Sequence, residues 1–493
     1  MLLGIDLGTS AMKVMLFDPA TGTYVLEREP VAIEQPTPDL AEAHPQDWWN
    51  ALVAILTRLH RTHGQDLGAV QAVGLSTIFP ALIPMDAEGT PLRKAILYCD
   101  RRSIAEVEEI AAALGPEAFE ERTGNRLTPG TCTLPGIAWI RKHEPDVFSA
   151  THTFGQASTY LIKRLTGANA LDLTQASLSG MVASGRENEW DPELLELAGV
   201  AHDQLPRLVS SGEVVGSVSS IAAAECGLPA GIPVVGGAGD APLAAFGGGV
   251  VGAHELFCSA GTTDCIMFTG DRPPSNPVFA NMRYVCPELW VSIGTMSTAG
   301  ASVKWLCDAV LGCSADELTS QAAGAPAGSD GLVFLPYLQG ERTPWWDPKA
   351  RGLFYGLNLT TERAHLCRAV LEGVAFGWRQ IISLLEDEYA FEAAKIVAVG
   401  GGSTNALWNQ IKASVLGRPI AALDFAETTS LGAALIGGLG AGVFSTATDA
   451  CTATAPLCRA TTVEPNSEWT EIYNSSFGTY CDLYPTIAPL FHS

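Results

Sequence analysis

Near its start the chain reads Asp6-Leu7-Gly8-Thr9-Ser10, followed closely by Lys13. Glycine lets a backbone approach an anion closely. Successive N–H groups then form a nest for phosphate oxygens, and the Thr9 and Ser10 hydroxyls add donors. Asp6 suits Mg²⁺ held through water, because that ion keeps several waters and takes few carboxylates. Lys13 adds positive charge. An ordinary hairpin turn with a surface aspartate uses the same residues, so this motif alone leaves both readings open. A second copy, Gly261-Thr262-Thr263, stands about half the chain later. Two such turns facing each other across a cleft would grip one polyphosphate.

Asp240 follows the apolar run Val234-Val235 and the cluster Gly236-Gly237-Ala238-Gly239. A carboxylate at a strand end in a cleft is well placed as a general base. Gly-rich turns also carry aspartate for purely local reasons. Gly400-Gly401-Gly402-Ser403, with Asn405 beyond, offers bare backbone to a flat ligand. It is not G-x-G-x-x-G, and no following acidic residue completes a dinucleotide fingerprint. The dipeptide Gly-Lys never occurs, which removes a P-loop, and no Gly-x-Ser-x-Gly elbow exists. His60 and His63 are spaced as a helical metal pair, but a solvated helix face is the expectation.

These residues need elements to position them. The stretches 2–5 and 14–17 read as strands around the first turn, and 255–258 and 265–269 as strands around the second. Ala72-Val73-Gly74-Leu75-Ser76 is echoed by Ala398-Val399-Gly400-Gly401-Gly402-Ser403, each after an apolar run. The double echo predicts two related α/β lobes with a cleft between them. The break falls near Gly247-Gly248-Gly249, giving lobes 1–246 and 247–445 and a tail 446–493 that packs back. Leu366, Val370, Val374 and Trp378 form a helical stripe over 363–386. Helices are also predicted over 46–59, 301–311 and 406–416.

The chain has 493 residues, of which 47% are hydrophobic, enough to exclude a disordered chain. A net charge of −24 repels nucleic acid and anionic membranes, so neither is an expected partner. It repels free ATP too, so a nucleotide site would need backbone N–H donors and a divalent cation. The 12 Cys include no C-x-x-C, which excludes zinc-ribbon and thioredoxin-type sites. The opening residues lack a basic leader, and a reducing cytoplasm is the expected setting. An uncharged run between Glu427 and Asp449 is long enough to span a bilayer. Its Gly432, Gly437, Gly438, Gly440 and Gly442 predict a buried glycine-rich helix and turn instead.

Together these motifs resemble the FGGY family of carbohydrate kinases over nearly the whole chain. The most specific match is Gly340-Glu341-Arg342-Thr343-Pro344, followed by Asp347-Pro348, Ala350-Arg351-Gly352 and Phe354-Tyr355-Gly356-Leu357. Trp190-Asp191-Pro192-Glu193-Leu194-Leu195, Arg368-Ala369-Val370-Leu371-Glu372-Gly373 and Ser430-Leu431-Gly432-Ala433-Ala434 also agree. The resemblance implies a two-lobed actin-like ATPase (ribonuclease H-like) fold, α/β, with duplicated domains around a central cleft. It implies ATP and Mg as cofactors, a sugar or polyol substrate and a homodimer. Asp240 would be the catalytic base, and Asp6 would act in catalysis by orienting the metal. Gly8, Thr9, Ser10 and Lys13 fit the first phosphate loop and Gly261, Thr262 and Thr263 the second. Gly400, Gly401, Gly402 and Asn405 fit the adenosine loop.

Xylulokinases resemble the chain most among the subfamilies, through Asp6-Leu7-Gly8-Thr9-Ser10, Pro45-Gln46-Asp47-Trp48-Trp49 and Phe334-Leu335-Pro336-Tyr337-Leu338. The expected reaction is phosphorylation of D-xylulose or a related ketose or polyol. Ser76, Thr77, Asp100, Arg102 and Asp240 are the expected substrate contacts. The sugar-facing segments depart from the subfamily. Leu75-Ser76-Thr77-Ile78-Phe79-Pro80 stands where a Gly-Gln-Met-His-Gly-type stretch is usual. Tyr98-Cys99-Asp100-Arg101-Arg102 replaces a Trp-Asn-Asp segment, and Ala241 replaces an Asn after the base. Such losses change which hydroxyls a site selects. Ribulose, glycerol, erythritol or gluconate kinases therefore remain alternatives, as do an actin-like ATPase and a sugar sensor. Trp345 and Trp346 are expected to pack internally rather than to stack on substrate.

Overall fold

A computed structural model describes residues 1–186 and 188–492. It divides into two compact units. The first comprises Met1–Ala253, Gly270–Val291 and Glu427–Leu457, the second His254–Thr269, Ser292–Ala426 and Cys458–Ser493.

In the first unit the strands run in the order Val214–Ser217, Pro233–Val235, Ala72–Thr77, Leu2–Leu7, Ala11–Asp18, Thr23–Pro30. Leu2–Leu7 and Ala11–Asp18 form an antiparallel hairpin around the first glycine turn. Ala72–Thr77 lies parallel to Leu2–Leu7 on the other side. In the second unit the order is Ala460–Val463, Ile420–Leu423, Lys395–Val399, Glu255–Ala260, Asp264–Gly270, Trp290–Met296. Glu255–Ala260 is antiparallel to Asp264–Gly270 and parallel to Lys395–Val399. Farther out, the next pairing is parallel and the last antiparallel in both sheets. The four strands from the first hairpin outward through the two parallel pairings thus repeat one sense, which is the duplication that the sequence echoes predict, while the outermost strand precedes its neighbour along the chain in the first sheet and follows it in the second.

Burial explains why the first sheet forms. Leu3, Ile5, Leu7, Val14, Leu16, Val73 and Leu75 share one core with Trp48, Leu52, Ile55, Leu56 and Leu59 of the helix Pro45–Gly68. That helix starts on the proline expected at a first turn. It runs past the predicted 59, through a non-helical His63 (φ −136°). The uncharged run supplies the helix Thr428–Gly440, which packs in this first unit although the stretch 247–445 carries it in sequence. Its glycines and those beneath it permit backbone contact. A Cβ on Gly74 would lie 1.8 Å from the Ala433 carbonyl oxygen, and one on Gly247 1.9 Å from that of Thr428. Among the described residues no helix is long and apolar enough to cross a membrane.

The predicted helices 363–386 and 406–416 appear as Arg363–Tyr389 and Ala406–Leu416. The stretch 301–311 instead splits into an α-helix Gly300–Trp305 and wider π turns over Leu306–Leu311.

Candidate active site

The first unit brings the predicted residues Asp6, Lys13, Ser76 and Asp240 together at one end of its sheet. Asp6 faces Lys13 across the hairpin and Ser76 across the parallel pair. The Ser76 hydroxyl donates to Asp6 Oδ1 at 3.0 Å. Ser430, in the first turn of the glycine-rich helix, donates to Oδ2 at 3.4 Å. Asp6 is buried, and burial pushes its carboxyl up to about 6 against the opposing pull of Lys13 and both serines. Lys13 is itself paired with Glu427, Nζ to Oε2 at 2.7 Å.

Asp240 arrives on the next short strand. Ala238 and Gly239 pair in parallel with Ser76 and Thr77, and Asp240 begins the helix Asp240–Gly247. Burial pushes its carboxyl up to about 7, and the charge of Asp6 adds to the rise. The Ala241 N–H pulls the other way through a 2.8 Å bond to Oδ1. The Phe79 ring closes the space beside Gly239, where a Cβ would lie 2.2 Å from Cε1.

Gly8, Thr9 and Ser10 form the turn itself. The Gly8 N–H donates to the Ala11 carbonyl at 3.0 Å, and the Thr9 and Ser10 side chains are exposed. Asp100 and Arg102 are placed differently. Arg102 grips Asp100 through Nε (2.8 Å) and Nη2 (2.7 Å), reaches Glu42 at 2.8 Å and lies 5.0 Å over the Trp139 ring. Asp100 also accepts the Ala41 N–H at 2.7 Å. The contacts of this pair among the described residues are therefore with one another and with the scaffold, not with Asp6 or Asp240.

In the second unit, Gly261, Thr262 and Thr263 form an exposed turn between antiparallel strands. The Gly261 N–H donates to Asp264 Oδ1 at 2.9 Å, and Trp378 Nε1 donates to its other oxygen at 2.6 Å. The Thr262 carbonyl accepts the N–H groups of Ala299 (3.1 Å) and Ala301 (3.0 Å). Lys412 is fully buried, 4.1 Å from the Trp378 ring and 4.3 Å from that of Trp408. Gly400 sits at φ +102°, Gly401 and Gly402 begin the short helical turn after it, and Asn405 caps the helix Ala406–Leu416 by accepting the Trp408 N–H at 2.9 Å. Asn405 also donates to Thr319 at 2.7 Å.

The 340–344 segment is fastened to the strand Trp290–Met296. Glu341 accepts the Ser297 N–H at 2.7 Å, and Thr343 accepts that of Thr295 at 3.1 Å. Trp345 packs 4.4 Å from Tyr484 and donates to Tyr337 at 3.0 Å, as internal packing requires. His60 is exposed, and among the described residues no group of three or more His, Cys, Asp or Glu is arranged to hold a metal ion.

Sequence reasoning missed Asp172, Thr174 and Gln175, which lie directly behind Asp240 and Thr77. The Gly239 N–H donates to Thr174 at 3.0 Å, and Thr77 donates to Gln175 at 3.4 Å. Asp172 followed three residues later by Gln175 is a helix-start pattern, the one signal that marks this segment. Glu427 was also missed, since only folding brings it to Lys13.

Known proteins resemble the chain in sequence and in fold. The N-terminal domain model of the FGGY family of carbohydrate kinases matches residues 1–247, and its C-terminal domain model matches residues 256–441. The crystal structure of a xylulose kinase from Rhodospirillum rubrum superposes with a TM-score of 0.93 at 31% identity, covering 100% of both chains. The xylulose kinase of Escherichia coli (strain K12) is 30% identical over 88% of each chain. The gluconokinase of Bacillus subtilis (strain 168) is 28% identical over 88% of this chain and 86% of its own. The fold is thus the actin-like α/β fold of two duplicated domains.

Proposed function

The chain belongs to the FGGY family of carbohydrate kinases, and from that premise we propose that it transfers the γ-phosphoryl group of ATP to a hydroxyl of D-xylulose or a related neutral ketose or polyol. Asp240 accepts the hydroxyl proton as the oxygen attacks. The observation that carries this reading is the pairing of Asp240 with Asp6. A general base works best when its proton affinity lies near the operating pH, and burial beside a second carboxylate brings Asp240 to about 7.

Phosphoryl transfer is largely a matter of positioning and charge stabilisation. The turn at Gly8, Thr9 and Ser10 and the turn at Gly261, Thr262 and Thr263 offer amides and hydroxyls to phosphate oxygens. Gly400, Gly401, Gly402 and Asn405 border the adenosine. Asp6 fits Mg²⁺: it is one buried carboxylate whose ionised form is costly beside Asp240, and such an ion needs few protein ligands. When bound there, the ion supplies positive charge to the phosphate oxygens.

The choice of a neutral acceptor rests on the cations. Lys13 is paired with Glu427, and Arg102 with Asp100 and Glu42. Neither is left to meet the carboxylate of a sugar acid. Phe79 supplies an apolar wall beside Gly239, and Thr77 is turned to Gln175 behind it.

Purified protein with Mg-ATP and a panel of pentuloses, hexuloses, polyols and sugar acids tests this. Turnover that requires a ketose or polyol supports the reading. Turnover with gluconate alone overturns the neutral acceptor. Sugar-independent hydrolysis with assembly, or sugar binding without turnover, overturns the kinase.

A further inference from the structure

We propose that Asp172 is a positioning residue that holds the Asp240 strand end in register with the strand Ala72–Thr77, whose Ser76 bonds Asp6, acting through Thr174 and Gln175. The inference rests on the reading of Asp240 as the base. It adds a residue that is completely buried.

Asp172 ends the strand Ala170–Asp172 and caps the short helix Leu173–Ser177. A cap needs one bond, from the Gln175 N–H, which is present at 3.1 Å. Asp172 takes two more. The Thr174 hydroxyl donates to Oδ1, and Gln175 Nε2 donates to Oδ2 at 2.6 Å. Asp172, Thr174, Gln175, Ser158 and Thr77 are all completely buried. No water can substitute for a misdirected proton there.

The extra bonds set the direction of two others. Because Thr174 gives its proton to Asp172, its oxygen is left to accept from the Gly239 N–H at 3.0 Å, the residue just before Asp240. Because Gln175 Nε2 is spent on Asp172 and on Ser158 (2.9 Å), its Oε1 is left facing the Thr77 hydroxyl. Thr77 follows Ser76, the donor to Asp6. One carboxylate therefore fixes the hydrogen-bond polarity at the strand end that leads into Asp240 and on the strand whose Ser76 donates to Asp6. A neutral amide at 172 reverses that order, since its N–H₂ would oppose Gln175 Nε2.

The test compares Asp172→Asn, Thr174→Val and Thr174→Ser with the parent protein. A misplacement of about 1 Å at a reacting group costs on the order of 10²-fold in rate. The expected result is a fall of that size in kcat for Asp172→Asn and Thr174→Val, with ATP affinity unchanged. Amide hydrogen exchange over residues 236–243 should quicken in both. Thr174→Ser, which keeps the hydroxyl, should restore both readouts. Unchanged kcat and unchanged exchange in Thr174→Val overturn the proposal, as does a Thr174→Ser variant as impaired as Thr174→Val. If Asp172→Asn fails to fold, the two Thr174 variants still decide. A fully active Asp240→Asn would sink the base assignment separately, and the exchange over 236–243 would still judge Asp172.

Discussion

Asp6 raises the proton affinity of Asp240 from the far side of the strand Ala72–Thr77, with which both their strands pair in parallel, and both carboxyls lie above their ordinary range because burial disfavours their charge. A base must be deprotonated to accept a proton. Activity is therefore expected to rise with pH and reach half its plateau near 7. Removing the neighbouring charge lowers the proton affinity of Asp240. In Asp6→Asn the acid limb of the kcat/KM profile should move to lower pH, whatever happens to the plateau. A limb that stays in place would uncouple the two residues.

Asp240→Asn keeps the shape of the side chain and its bond to the Ala241 N–H. General bases contribute about 10²–10⁴-fold. A loss of that order in kcat is expected, with ATP binding retained in calorimetric titration. Turnover at the parental rate would end the assignment.

Lys412 and Asp264 are both buried behind the second turn and act on one another by charge, with no hydrogen bond between them. Burial raises the Asp264 carboxyl and lowers the Lys412 amine, and each pulls the other back. Removing either one leaves the other charge buried without its opposite, whereas removing both does not. Lys412→Met should therefore destabilise the protein strongly in urea unfolding and weaken ATP binding. The added Asp264→Asn change should recover much of the stability. Additive losses would show that the two do not interact.

Much of this site was legible because its signals are local. Turn residues between short apolar runs marked both hairpins, and Asn405 and Gly417 bracket a helix whose ends match the prediction. The uncharged run was legible through its glycines, whose bare backbones meet the sheet. The Asp172–Thr174–Gln175 group was not. Its partners Gly239 and Thr77 lie far away in sequence, and hydrogen-bond polarity leaves no periodicity. The pairing of Arg102 with Asp100 and Glu42 was hidden for the same reason. The π turns over Leu306–Leu311 have no compositional signature, so one continuous helix was the natural reading.

Glu341 offers a test of burial against charge. It is buried, and burial pushes its carboxyl up to about 7, although the N–H groups of Ser297 and Arg342 favour the ionised form. The folded state therefore holds this proton at pH values where the unfolded chain, with a carboxyl near 4.5, has released it. Stability from this group is present below that ordinary value and is lost as pH rises toward 7. Glu341→Gln keeps an oxygen for both N–H groups and cannot ionise. Relative to the parent, the variant should gain stability between about pH 5 and 8. Urea midpoints measured at both ends of that window check the sign, and an advantage that shrinks toward pH 8 would refute it.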